Sequence, residues 1–207
     1  RFGRRRMFAT GIALFTAASA AAALAPTIDA LIVARAIQGM GGALVMPLTL
    51  TILSTAFPAE RRGVALGIWG AVGGIAVASG PLVGGLVIEG ISWQWIFWLN
   101  VPVGIALAPL ALLRLRETYG TDKALDLPGL ALVSAGLLGI VWGLVNGNAD
   151  GWTSPRIPAA LGLGAVLLGA FVRWELRART PMLPMRFFRS RTFAVANTAS
   201  LLMTFGM

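Results

Sequence analysis

Neither cysteine nor histidine occurs in the 207 residues. Thiolate chemistry, disulfides, Cys- or His-based metal sites and the commonest general base are therefore excluded. The single lysine, Lys123, lies in a polar stretch, and the carboxylates keep clear of the centres of the apolar runs. Asp29 and Glu89 fall at run ends, while Glu60, Glu117, Asp122, Asp126, Asp150 and Glu175 fall in loops or at interfaces. Intramembrane hydrolysis has no acid pair to use, and no Asp or Glu stands where a membrane proton carrier would. One ionisable group does stand inside a run. It is Arg35, in Leu31-Ile32-Val33-Ala34-Arg35-Ala36-Ile37-Gln38-Gly39. Gln38 follows at i+3 on the same helical face, so the two can share one polar site. A guanidinium at that depth costs at least about 2.5–3.5 kcal/mol on insertion scales and persists where it faces a cavity or a partner. The bland alternative is an arginine snorkelling to the outer interface.

A second pattern concerns backbone shape. Gly63, Gly67, Gly70, Gly74, Ala78, Gly80, Gly84 and Gly85 recur along one run, interrupted by Pro81. Small residues at i+4 favour close helix packing. The stretch Gly80-Pro81-Leu82-Val83-Gly84-Gly85 adds a lost backbone hydrogen bond between permissive glycines, which predicts a kink that can act as a bent gate. Gly39-Met40-Gly41-Gly42 is no dinucleotide fingerprint, because it lies within an apolar helix and follows no strand. Trp93-Gln94-Trp95-Ile96-Phe97-Trp98 reads as an interfacial aromatic belt, with Asn100 and Pro102 opening the next run.

The elements that must position these residues follow from composition. The chain is 57% hydrophobic and 12% charged, with a mean hydropathy of +0.80. Soluble domains are about 45–50% apolar and about 25% charged, so lipid must be part of this chain's solvent. Cytosolic enzymes, secreted disulfide modules and disordered tails are excluded. Seven apolar stretches reach or approach spanning length: 7–25, 30–53, 64–89, 96–113, 127–145, 157–172 and 193–207, the last cut short. Capping chemistry is expected at Asp126 before Pro128, at Ser154 before Pro155 and at Thr192. Strand periodicity is missing, and an open sheet cannot span lipid. The fold class is all-α, a polytopic transmembrane helix bundle.

Charge supplies the orientation. Arg1, Arg4, Arg5 and Arg6 precede the first run, and Arg61 and Arg62 follow the second. Arg114, Arg116 and Lys123 follow the fourth run, and Arg173, Arg177, Arg179, Arg186, Arg189 and Arg191 follow the sixth. Opposite loops hold Arg156 alone, a strong positive-inside asymmetry. The formal charge of +9 is therefore a topology device suited to anionic headgroups, and nucleic acid is not expected as a partner. The Arg1 end is expected in the cytoplasm of a multi-pass protein of the cell (inner) membrane. Both ends read as cut, which predicts an internal fragment of a longer polypeptide.

Three stretches carry a resemblance to the major facilitator superfamily, and within it to the fourteen-helix drug/proton antiporters. Arg1-Phe2-Gly3-Arg4-Arg5-Arg6 is similar to the end of the family's cytoplasmic loop motif, assigning Arg1, Gly3, Arg4 and Arg5 to it. Ala34 to Ala43 resembles the fourth-helix motif, whose arginine is implicated in proton coupling; the resemblance assigns that role to Arg35 with Gln38. Gly74 through Gly85 resembles the fifth-helix antiporter motif, assigning gating to Gly74, Gly80, Pro81, Gly84 and Gly85. The segment from Trp93 to Gly104 also resembles the family, with Gln94 where an arginine is common, and Asp126-Leu127-Pro128-Gly129 resembles the start of the extra helix pair.

The map this resemblance implies is a partial major facilitator fold. Residues 1–113 would be helices three to six of the N-terminal bundle, and 114–172 a cytoplasmic loop and the inserted helix pair. Residues 173–192 would be a basic linker, and 193–207 the start of the C-terminal bundle. The implied activity is proton-coupled efflux of amphipathic or cationic small molecules by alternating access. No enzyme activity, cofactor or metal is expected, and the implied partners are a small-molecule substrate, protons and the bilayer, with the protein a monomer. The alternatives are a dedicated exporter or facilitator of one metabolite without proton coupling, and a non-transporting sensor or scaffold on the same fold.

Overall fold

Lipid-facing helices need apolar residues all round, and this chain supplies them in long runs. The computed structural model describes residues 3–119, 126–178, 181, 183, 187 and 190–205. Eight helices follow one another with no strand among the described residues: α1 (Arg4–Ala23), α2 (Ile28–Ala56), α3 (Ala59–Gly90), α4 (Trp95–Trp98), α5 (Asn100–Arg114), α6 (Leu127–Asp150), α7 (Arg156–Glu175) and α8 (Arg191–Phe205). Six segments are long and apolar enough to cross a membrane, with α4 and α5 counted together as Trp95–Arg114. Helix α8, which contains most of the seventh expected run, has 15 residues and is shorter than the other six. Residues 206 and 207 of that run lie outside the described residues.

The helix starts show which local signals operate. Asp126 caps α6, its carboxylate accepting from the Gly129 N–H at 3.0 Å, with Pro128 in the first turn. Thr27 caps α2 by accepting from the Ala30 N–H, and Asp29 adds negative charge to that first turn. Two expected caps are corrected. Pro155 occupies the N-cap of α7 with no side-chain bond, and Ser154 contributes only its carbonyl, to the Ile157 N–H. Thr192 lies inside α8, which already begins at Arg191. Pro81, where a kink is expected, lies within α3, as Pro47 lies within α2 and Pro109 within α5. One missing N–H is tolerated because the flanking turns of a long apolar helix remain hydrogen-bonded.

The chain forms two compact units, Arg1–Thr121 and Asp122–Met207. In the first, α1 packs on α2 and α5 through small residues. Ala9, Gly11, Ala18, Ser19, Ala22 and Ala23 of α1 are buried. The α1–α2 crossing is closest at glycine: a Cβ on Gly41 would lie 2.7 Å from the Phe15 backbone nitrogen and 2.9 Å from the Gly11 carbonyl oxygen. A Cβ on Gly104 of α5 would collide with the Thr16 side chain. Helix α3 contrasts with these, burying no residue at all. In the second unit, α6 and α7 pack as a pair through Gly136, Gly139, Gly143 and Gly164. Trp174 ties its end, donating from Nε1 to the Asp126 carboxylate at 2.9 and 3.0 Å.

Candidate functional site

Helices α1, α2 and α4 meet around Gln38 and Arg35. Helix α2 carries Arg35 about two turns beyond its start, and Gln38 one turn further. Arg35 Nη1 donates to Gln38 Oε1. Gln38 Nε2 donates in turn to Ser19 Oγ of α1 at 2.5 Å, and Ser19 Oγ donates to the Phe15 carbonyl at 2.8 Å. Gln38 is 2% exposed and Ser19 0%, whereas the Arg35 residue is exposed. From another side the guanidinium lies over the Phe97 ring of α4, 5.7 Å from its centroid. That is within the roughly 6 Å reach of a cation–π interaction. Trp93 meets Phe97 edge to face, at 6.1 Å and 89°.

Arg35, Gln38, Ser19 and Phe97 all belong to segments able to span the membrane. Among the described residues the ion pairs are those of Arg5 and Arg6 with Glu117, so no carboxylate meets Arg35. The arrangement offers a fixed positive charge with donors to spare, held by one neutral chain and one aromatic face. Such a charge can attract an anionic group or bias the protonation of a nearby acid; it is not itself a nucleophile or a metal ligand.

The basic start of the chain builds a second cluster. Gly3 sits at φ +76°, and a Cβ there would come within 2.5 Å of the Glu117 carboxyl group. Glu117 Oε1 accepts from the Arg5 backbone N–H at 2.9 Å, and the Thr118 carbonyl accepts from the Arg4 N–H at 2.9 Å. Arg5 Nε lies 3.5 Å and Arg6 Nε 3.9 Å from Glu117 Oε2. Arg5 Nη1 also donates to the Leu112 carbonyl at 3.3 Å. A carboxylate thus covers the first turn of α1, where free N–H groups and the helix dipole favour negative charge.

A match to the Major Facilitator Superfamily extends over residues 1–207. The chain belongs to that family. This major facilitator chain is 36% identical over 207 residues to the tetracenomycin C resistance and export protein of Streptomyces glaucescens, covering 99% of the chain and 38% of that protein. It is 34% identical over 204 residues to multidrug resistance protein 3 of Bacillus subtilis, covering 97% of the chain and 40% of that protein. To the methylenomycin A resistance protein of Streptomyces coelicolor it is 33% identical over 208 residues, covering 100% of the chain and 44% of that protein. The chain thus spans about two fifths of the length of these relatives. Family and helices together make it a membrane protein.

Within the major facilitator chain the expected site residues are distributed unevenly. Arg35 and Gln38 are hydrogen-bonded to each other. Gly3, Arg4 and Arg5 gather around Glu117 and Thr118, while Arg1 lies outside the described residues. The α3 set is not gathered: a Cβ added at Gly74, Gly80, Gly84 or Gly85 meets nothing within 4 Å, and Pro81 is a helical residue among them. Sequence reasoning missed Ser19, Phe97 and Glu117. A lone serine in an alanine-rich run, an aromatic in an interfacial belt and an acid beyond a helix end carry only faint signals, because each gains its place through tertiary contact.

Proposed function

We propose that the protein containing these helices is a proton-coupled efflux transporter of amphipathic or cationic small molecules, working by alternating access. The observation that carries this reading is the Arg35–Gln38–Ser19 chain with its aromatic cover, a charge fixed within spanning helices. A cation at the depth of a membrane span is costly and is kept where it has work to do. The relatives' names, which speak of resistance and export, support the same direction. In this reading Arg35 biases the protonation of a carboxylate lying in parts of the longer relatives beyond these residues, since none of the eight acids here occupies a span centre. The Gly74–Gly85 stretch of α3 lets that helix bend and seal during exchange. Gly3, Arg4 and Arg5, with Arg1, steady the cytoplasmic loop.

The same reading places α1 to α5 as helices three to six of the N-terminal bundle and α6 with α7 as an inserted pair. The basic residues 173–192 form the cytoplasmic linker, and α8 opens the C-terminal bundle. The protein works as a monomer in the cell membrane, with the Arg1 end cytoplasmic.

The test uses the full-length protein in inverted vesicles with an acid interior and a panel of cationic dyes. Substrate-evoked proton release is expected in the wild type and its loss in Arg35→Ala, with membrane insertion unchanged. Normal coupled efflux by Arg35→Ala overturns the reading. Two relatives are named for a single antibiotic each, which favours a second reading: a dedicated exporter of one metabolite without proton coupling. Inserted protein that moves one such compound, responds to no dye and releases no proton would support it.

A further inference from the structure

We propose that Ser19 and Phe97 are positioning residues for Arg35, the first setting its hydrogen-bonded partner and the second holding its planar face. The inference rests on the coupling role given to Arg35 above and adds two residues on other helices that fix where its charge sits.

Each link from Arg35 inward has a direction. An amide side chain has one acceptor oxygen and one donor nitrogen, and a guanidinium has donors only. Facing Arg35, Gln38 must therefore present Oε1, which turns Nε2 toward α1. Ser19 Oγ meets that nitrogen as an acceptor, because its own proton is committed to the Phe15 carbonyl. The chain runs donor to acceptor from guanidinium to backbone and ends on a carbonyl that cannot turn. Reversing the Gln38 amide would set donor against donor at Arg35. Remove the Ser19 hydroxyl and the buried Nε2 loses its partner, so the amide is no longer held in the orientation Arg35 needs. Ser19 is fully buried, and among the described residues its Oγ is the acceptor that Gln38 Nε2 meets.

Phe97 acts on the guanidinium itself. The exposed Arg35 has a long flexible stem, and without a partner its charged end would move toward the aqueous interface. The ring face offers the guanidinium an attractive surface within the span. Trp93, edge-on to Phe97, orients that ring. Ser19 and Phe97 lie 78 positions apart in the sequence and on different helices, yet meet the same side chain or its immediate partner.

Two measurements on the full-length protein test this. In inverted vesicles, Ser19→Ala and Phe97→Leu are each expected to lower dye-evoked proton release at least fivefold, with the dye KM changed less than twofold. Ser19→Thr, which keeps the hydroxyl, and Phe97→Tyr, which keeps the ring face, are expected to restore most of it. In thermal unfolding of the purified protein, the loss caused by Ser19→Ala is expected to shrink by half or more in an Arg35→Ala background. Coupled rates like wild type in both deletion variants, or fully additive melting shifts, would overturn the proposal while leaving Arg35 itself in place. Normal coupling by Arg35→Ala would instead remove the reading on which it rests.

Discussion

At the scale of single residues, the glycine of the basic cluster is the most constrained. Gly3 combines φ +76° with ψ 133°, a backbone region that side chains rarely occupy, and its missing Cβ leaves the room that the Glu117 carboxyl fills. Gly3→Ala is therefore expected to cost about 1–3 kcal/mol from backbone strain, with further loss from displacing Glu117. Thermal unfolding in detergent checks it: a melting temperature like wild type would mean that the start of α1 relaxes freely. Conversely, Arg6 is exposed and its pairing with Glu117 is long, so its contribution is small. The contrast shows what residue-level reading can reach. The Arg35–Gln38 pair was legible, because i and i+3 on a helix are neighbours whatever the rest of the fold does. Glu117 was not, because its partner Arg5 lies 112 positions away and only the packing of α5 on α1 brings them together.

At the scale of elements, glycine has opposite meanings in different helices. A Cβ on Gly164 would lie 2.8 Å from the Gly136 carbonyl oxygen and 2.9 Å from the Ile140 backbone nitrogen, so α6 and α7 would have to separate. Gly164→Ala is expected to destabilise the α6–α7 pair by about 1–3 kcal/mol, as overpacking of a close contact does. On α3, Gly67 faces open space, so Gly67→Ala should remove the glycine helix penalty of about 0.8–1.0 kcal/mol without any clash. Comparing the two melting temperatures separates a packed glycine from an open one; equal losses would show that α3 has a close crossing of its own. Hydropathy located all six long helices but misjudged several ends, since α3 extends from Ala59 to Gly90 beyond its most apolar stretch. Amphipathic polar residues at the membrane edge continue a helix as readily as they end it. Serine misled in a similar way: the Ser154 side chain caps nothing ahead of α7, where the Ser154 and Pro155 carbonyls accept from Ile157 and Ala159 instead.

At the scale of the whole molecule, orientation is a matter of electrostatics that no single helix decides. Arginines flank α1, the α2–α3 turn, the end of α5 and the end of α7, whereas the turns after α1, α3 and α6 hold none and Arg156 alone stands at that side, at the start of α7. Moving that many cations across a bilayer is opposed by the machinery of insertion and by the anionic inner leaflet, so alternate turns are expected in the cytoplasm. The chain makes this directly testable, because it contains no cysteine. Ile91 and Thr153 are exposed residues of the turns expected outside, and Ala59 and Ser190 are exposed residues on the side expected inside. Single replacements Ile91→Cys and Thr153→Cys, in the full-length protein freed of any other cysteine, should react in intact cells with a membrane-impermeant maleimide. Ala59→Cys and Ser190→Cys should react only after the membrane is opened. The reverse pattern would invert every span and put the Gly3–Glu117 cluster outside. Mixed labelling at one position would mean that the charges bias the orientation without fixing it, and the arginines around α1 would then be the first to replace.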